Sequence, residues 1–281
     1  MDDSLTLHPL RPIDVIGLFP ELHHHLVDLL AGLTEEEWSR PTVCPGWSVK
    51  DVALHMLGVD IGNLSVRRDT FIDPWWETAS GEIIADLNTW NQDWVVTARR
   101  ISPRVLCDLL ALAGDTAARY FAGLDLTATG GVVWWAGPDP APVWLDVARE
   151  YTERWVHQQQ IRDAVGRPGL KDPRYLGPVL EAFVHALPRA LQSVEAPDGT
   201  AVRLVVTGEA GGRWVAVRDG ERWALGEDTG QDAAATVTLD QDVAWRLWTR
   251  GITIDDARPP IRTEGDPELA ARMLEMVSIM A

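Results

Sequence analysis

Apolar residues recur with a helical period through the first two thirds of the chain and then give way to short alternating runs. Ile13, Val15, Ile16, Leu18, Leu22, Leu26, Leu29, Leu30 and Leu33 predict a helix within residues 12–33, with Pro20 marking a break or start early in it. Thr34-Glu35-Glu36-Glu37-Trp38 reads as a short capped helix. A Pro41 to Trp47 loop containing Pro45-Gly46 leads to Ser48, a good N-cap. Asp51 stands three residues later, an acidic variant of the capping box, and the helix it opens is expected to run to about Arg68. A third helical region is expected from about Ser80 to Leu124, interrupted near Pro103, with Trp90 and Trp94 on one face. Residues 149–162 hold no Gly or Pro and read as a central helix, which stops at Gly166-Arg167-Pro168-Gly169.

Beyond that stop, residues 167–175 read as a linker and Leu176 to Val194 as a further helix containing Pro188. The texture changes after Ala196-Pro197-Asp198-Gly199. Strands are expected at residues 201–206, 213–217, 222–225 and 235–239. Asp240 caps a helix through Trp245 and Trp248, and Asp266-Pro267 opens a last one. Strands followed by two helices suggest a small α+β domain. The expected organisation is a helical bundle over residues 1–170, a linker and bridging helix over 171–197, and the α+β domain over 198–281.

On the central helix Trp144, Ala148, Tyr151 and Trp155 form an apolar stripe. Asp146, Arg149, Glu150, Glu153, His157 and Gln160 fall on the other side, a face that periodicity alone assigns to solvent. Glu153 and His157 lie four apart and project from one face about a turn apart, so each can give one ligand to a metal such as zinc. His55, one turn into the Ser48-capped helix, is the best candidate for a third ligand, and Glu150 is the nearest rival to Glu153. Gly58 and Gly62 share the His55 face. Each costs a helix about 1 kcal/mol, which makes sense where another helix or a ligand must approach the backbone closely. The run His23-His24-His25 cannot serve one metal from one helix, because successive residues point about 100° apart. Those imidazoles are expected to be surface or partly buried groups, with His24 or His25 left as candidates to line a site. His185 is most simply structural.

Fourteen Trp stand against four Phe and three Tyr, and Trp75-Trp76 and Trp134-Trp135 fall in loop-like segments. Paired Trp there serve either packing or the wall of a ligand pocket. The chain has 281 residues and a net charge of −17, which argues against nucleic acid and anionic membrane surfaces as partners. Cys44 and Cys107 make no paired motif, which suits a reducing compartment. There is no basic, apolar signal-like start and no run of roughly 18 apolar residues. A soluble cytoplasmic protein is expected.

Two segments carry a family resemblance. Pro45-Gly46-Trp47-Ser48-Val49-Lys50-Asp51-Val52-Ala53-Leu54-His55, followed downstream by Glu153-Arg154-Trp155-Val156-His157-Gln158-Gln159-Gln160-Ile161-Arg162, resembles the DinB-like, mycothiol-dependent maleylpyruvate isomerase family. A weaker resemblance to its sterol-carrier-like C-terminal domain rests on Thr236-Val237-Thr238-Leu239-Asp240, the Trp-rich helix and Gly265-Asp266-Pro267-Glu268-Leu269-Ala270. The resemblance implies a mixed fold, an up-down four-helix bundle followed by a small α+β domain. It implies a divalent metal, usually zinc, on His55, Glu153 and His157, with mycothiol as thiol cosubstrate. A thiol deprotonated at the metal would add to a small electrophile, giving an isomerase if elimination follows and an S-transferase if it does not. Metal affinity would fall at low pH, because the ligands must be deprotonated. Gln158-Gln159-Gln160 stands where many members carry an acidic residue, a change in the groups that orient the ligands.

Two other classes are compatible with the residues. One is a metal-dependent hydrolase, with Glu150 or Asp51 as general base. The other is a non-catalytic binding protein whose C-terminal domain holds an apolar ligand. Arg250 and Arg262 are candidates to hold an acidic substrate, although surface positions explain them more simply. Cys44 lies eleven residues before His55 and reads as a small loop residue rather than a ligand. Cys44→Ser is therefore expected to retain most metal and activity, and a loss of metal stoichiometry in that variant would contradict this reading.

Overall fold

The structure, a computed structural model, describes residues 7–278. Helix α1 (Leu18–Ala31) is followed by the short α2 (Glu35–Trp38) and by α3 (Val49–Asn63), which passes into one π turn over Leu64–Arg68. Then come α4 (Ile83–Ala98), α5 (Pro103–Ala122) and the long α6 (Val143–Val165). The expected starts have identifiable causes. Thr34 and Glu37 form a complete capping box at α2, and Ser48 and Asp51 form another at α3. Pro103 occupies the first turn of α5, where its missing N–H costs nothing. Gly166 ends α6 with φ of +68°.

The chain forms two compact units, each built from segments that are not contiguous in sequence. Among the described residues, one comprises 15–125 and 150–170, the other 7–14, 126–149 and 171–278. In the first, Leu26 and Leu30 of α1, Val52 and Leu57 of α3, Leu106 and Leu110 of α5, and Ile161 of α6 share one buried core. Burying each such side chain contributes about 1.5–3 kcal/mol. Val95 and Ala98 bring the end of α4 into the same core.

The glycines of α3 answer the close approach that the sequence suggests. The Trp94 indole lies on Gly58, where a Cβ would stand 2.6 Å from its Nε1, and Trp94 Nε1 donates to the Leu54 carbonyl at 2.7 Å. Trp90 rests less tightly on Gly62. His23 is buried against Gly114 of α5, whereas His24 is exposed, so the histidine run splits between core and surface.

The other unit holds a short hairpin, β1 (Thr129–Val132) with β2 (Pro140–Pro142), which the sequence reading missed. Helices α7 (Pro173–Phe183) and α8 (Leu187–Leu191) follow, in place of one helix through Pro188. Its main sheet has the order β5-β4-β3-β6-β7, formed by β3 (Ala201–Thr207), β4 (Gly212–Asp219), β5 (Arg222–Glu227), β6 (Ala235–Asp240) and β7 (Arg262–Gly265). All neighbours are antiparallel except β3 and β6, which pair in parallel from Val202–Ala235 to Thr207–Asp240. Helix α9 (Gln241–Trp248) is capped by Asp240, and α10 (Pro267–Leu274) by Asp266. The fully exposed β7 has no alternating apolar face, so its sequence carries no strand signal. His185 packs edge-on to Trp144, and burial pushes its pKa down to about 4, in keeping with a structural role. Among the described residues no helix is long and apolar enough to cross a membrane.

Gly58→Ala is expected to destabilise the protein by about 1–3 kcal/mol, because overpacking against Trp94 outweighs the gain in helix propensity of about 1 kcal/mol. Gly62→Ala, whose Cβ meets nothing nearer than 3.4 Å, is expected to be neutral or stabilising. Urea denaturation of both variants checks this, and equal effects at the two positions would refute the packing account.

Candidate metal centre

His55 comes from the second turn of α3, and Glu153 and His157 come from α6. One ligand atom from each lies within 4.8 Å of the other two. Glu153 Oε1 is 3.1 Å from His55 Nε2 and 3.0 Å from His157 Nε2, so both rings point at the same carboxylate oxygen. The two imidazoles meet edge-on, 4.7 Å between centroids. Both His side chains are buried, whereas that of Glu153 keeps 22% exposure, which leaves an approach on its side.

The surroundings orient these three side chains. Gln160, one turn after His157, accepts a hydrogen bond from His157 Nδ1 at 2.7 Å, which leaves Nε2 for the cluster. The Gln160 oxygen also accepts from the Cys44 thiol at 3.1 Å. The half-buried Cys44 is thus tied to this surround rather than being only a loop residue. Trp47, delivered by the Pro45-Gly46 turn with φ +77° at Gly46, packs on His55 at 5.1 Å between centroids. His55 Nδ1 is buried and, among the described residues, makes no hydrogen bond of normal geometry, although the Asn91 side chain is near enough to favour protonation of the ring.

Burial opposes ionisation of Glu153, yet the adjacent His157 charge and the hydrogen bonds from both rings hold its carboxyl well below the usual range. Burial also opposes protonation of His157, but the Glu153 charge and the contact with Cys44 outweigh it and push that pKa up to about 10. For His55 burial wins and the pKa falls. The ionised Glu153 thus favours a protonated His157, while burial favours a neutral His55.

A second constellation explains why α6 presents these residues toward α3. Arg154 pairs with Asp60 of α3 and, at 2.8 Å, with Glu150 of α6. Asn63 of α3 donates to Glu150 at 2.7 Å, and Arg67 lies 3.5 Å from its other oxygen. Arg154 also lies over the rings of Phe19 and Phe121. The polar face of α6 is therefore not solvated, contrary to periodicity: Glu150, His157 and Gln160 are all buried. Gln158 donates to the Leu22 carbonyl and Gln159 accepts from Leu170 N–H, so neither reaches the cluster.

Glu150 is held by this network, with Asn63, Arg67 and Arg154 as partners, and stands apart from the cluster of His55, Glu153 and His157. Asp51 is likewise engaged, capping α3 and pairing with Arg99 at 2.8 Å. His24 and His25 are not in the cluster. Arg250 and Arg262 are exposed in the other unit. The sequence reading missed Gln160 as the partner of His157, although its spacing of three on one helix was a usable signal. It also missed Arg154 with Asp60, where the signal was absent because the partners are 94 residues apart.

Residues 19–162 match the family model described as the mycothiol maleylpyruvate isomerase N-terminal domain, half of the chain. The chain belongs to this family. Two crystal structures are similar to it in fold. One is a mycothiol-dependent maleylpyruvate isomerase, with 13% identity, a TM-score of 0.54, and coverage of 91% of this chain and 93% of that one. The other is a histidine-to-alanine mutant of the mycothiol-dependent maleylpyruvate isomerase, with 12% identity, a TM-score of 0.56 and the same coverage. That coverage agrees with the expected mixed fold of a helical N-terminal part and a sheet-containing C-terminal part. No curated protein sequence matches the chain.

Arg154→Met is expected to cost about 3–5 kcal/mol, because it leaves Asp60 and Glu150 buried without their cation. Equilibrium denaturation measures this, and a loss below about 1 kcal/mol would mean the network does not hold α6 against α3.

Proposed function

We propose that this member of the mycothiol maleylpyruvate isomerase family is a divalent-metal enzyme, with zinc the expected metal. It uses mycothiol as thiol cosubstrate for isomerisation of, or S-transfer to, a small electrophile in the cytoplasm. The observation that carries the reading is the convergence of His55, Glu153 and His157 on one point from two helices. The family and the names of the two similar structures support the choice of thiol.

The residues fit such a metal. Two imidazoles and one carboxylate form a three-ligand donor set that leaves a position for a small molecule. The metal, when bound, would stabilise an entering thiol as thiolate at neutral pH. The protein's part is to present the donors. Glu153 is already ionised, Gln160 holds His157 in the ring orientation that frees Nε2, and Trp47 covers His55. The partial exposure of Glu153 supports access for both thiol and electrophile. The hydrolase reading is weakened because Glu150 and Asp51, its candidate bases, are bound up in ion pairs.

Metal analysis of the purified protein beside His55→Ala, Glu153→Ala and His157→Ala tests the proposal. About one metal per chain is expected, lost in all three variants while they stay folded by circular dichroism. Addition of mycothiol should then be required for turnover. A wild-type protein that carries no metal and cannot be loaded would refute the thiol-activation reading and favour a non-catalytic binding protein. Activity independent of thiol would favour hydrolysis.

A further inference from the structure

Between α3, α4 and the segment joining them lies a cavity of about 360 Å³, within the size range of small-molecule sites. It lies wholly in the unit formed by residues 15–125 and 150–170 and shares no residue with the His55 cluster. Phe71, Trp75, Trp90 and Trp94 line it, with the carboxylates of Asp73 and Asp93. The segment over Trp75 is a short 3₁₀ turn, Pro74–Thr78, capped by the Asp73 side chain.

The polarity of the lining is one-sided. Trp90 spends its indole N–H on Asp73 at 3.0 Å, and Trp94 spends its own on the Leu54 carbonyl. The Ser65 hydroxyl donates to the Ile61 carbonyl at 2.8 Å. These donors are consumed inside the wall, and among the described residues no lysine or arginine lines the cavity. What remains is aromatic and aliphatic surface, the carboxylates of Asp73 and Asp93, and two neutral donors, the Trp75 indole and the Thr97 hydroxyl. The bonds from Trp75 N–H and the Trp90 indole hold the Asp73 carboxyl below its ordinary pKa, so it is charged at neutral pH. An anion would meet two like charges here with few donors to compensate.

Aromatic rings beside carboxylates favour an organic cation, whose charge interacts with π faces while its alkyl groups leave water. A strongly hydrated inorganic cation would gain little from rings. A net charge of −17 raises the local concentration of any such cation. We propose that this cavity is a binding site for an alkylated organic ammonium ion, with Phe71 and the tryptophans enclosing the alkyl groups and Asp73 and Asp93 balancing the charge.

The test is isothermal titration of the full-length protein with phenyltrimethylammonium, its uncharged isostere tert-butylbenzene, and benzoate. The ammonium ion is expected to bind about tenfold more tightly than tert-butylbenzene, and benzoate not at all. Trp90→Leu should weaken the cation about tenfold. Asp93→Asn, an exposed change with no structural bond to break, should weaken it several-fold and leave tert-butylbenzene unaffected. Chelator-treated protein should bind the cation as well as untreated protein does, so the result is independent of the proposed metal function. Equal or tighter binding of tert-butylbenzene, cation binding unchanged in both variants, or no cation binding would each overturn the proposal.

Discussion

The buried guanidinium of Arg154 is the interaction on which the arrangement of the helical unit depends. It lies between Asp60 of α3 and Glu150 of α6 and over two phenylalanine rings, so it specifies which residues of the two helices face each other. Apolar contacts alone tolerate sliding and rotation, because one leucine substitutes for another in a ridge or groove. A buried cation does not, since displacing it leaves charges unpaired in a poorly solvating interior. With α6 held in that rotation, Glu153 and His157 meet His55.

The cluster follows from this alignment, and so does its electrostatic character. Both imidazoles converge on one oxygen of Glu153, and neither ring has another carboxylate at that nitrogen. The carboxylate stays ionised because the His157 charge and the hydrogen bonds from both rings favour it over the cost of burial. Gln160 adds direction rather than charge: it fixes the far nitrogen of His157 and ties in the Cys44 thiol. An acidic residue there would add negative charge beside the cluster, whereas the amide keeps the orientation without it.

The two glycines on the His55 side of α3 serve a different end. They allow Trp94 and Trp90 of α4 to lie against the helix, and the cost in helix propensity is offset by the burial of large indole surfaces. The same two tryptophans wall the aromatic cavity, so one packing device yields both helix contact and pocket. Their N–H groups are satisfied within the protein, which leaves the cavity poor in donors.

Local signals in the sequence determined a great deal. The capping boxes at Thr34 and Ser48, the proline at the start of α5, the glycine stop after α6 and the caps at Asp240 and Asp266 all act over three or four residues, and all are read correctly from order alone. The i, i+4 spacing of Glu153 and His157 is likewise local. His55 was legible as their partner only through a family resemblance, since no spacing rule joins residues 98 apart. Tertiary structure alone decided that the polar face of α6 is buried, because periodicity reports that a face is polar and not whether another helix supplies partners for it. It decided as well that Glu150 belongs to an ion network rather than to the cluster, and that the exposed β7 completes the sheet. In each case the deciding energy comes from groups distant in sequence, and such pairings leave no periodic trace in the chain.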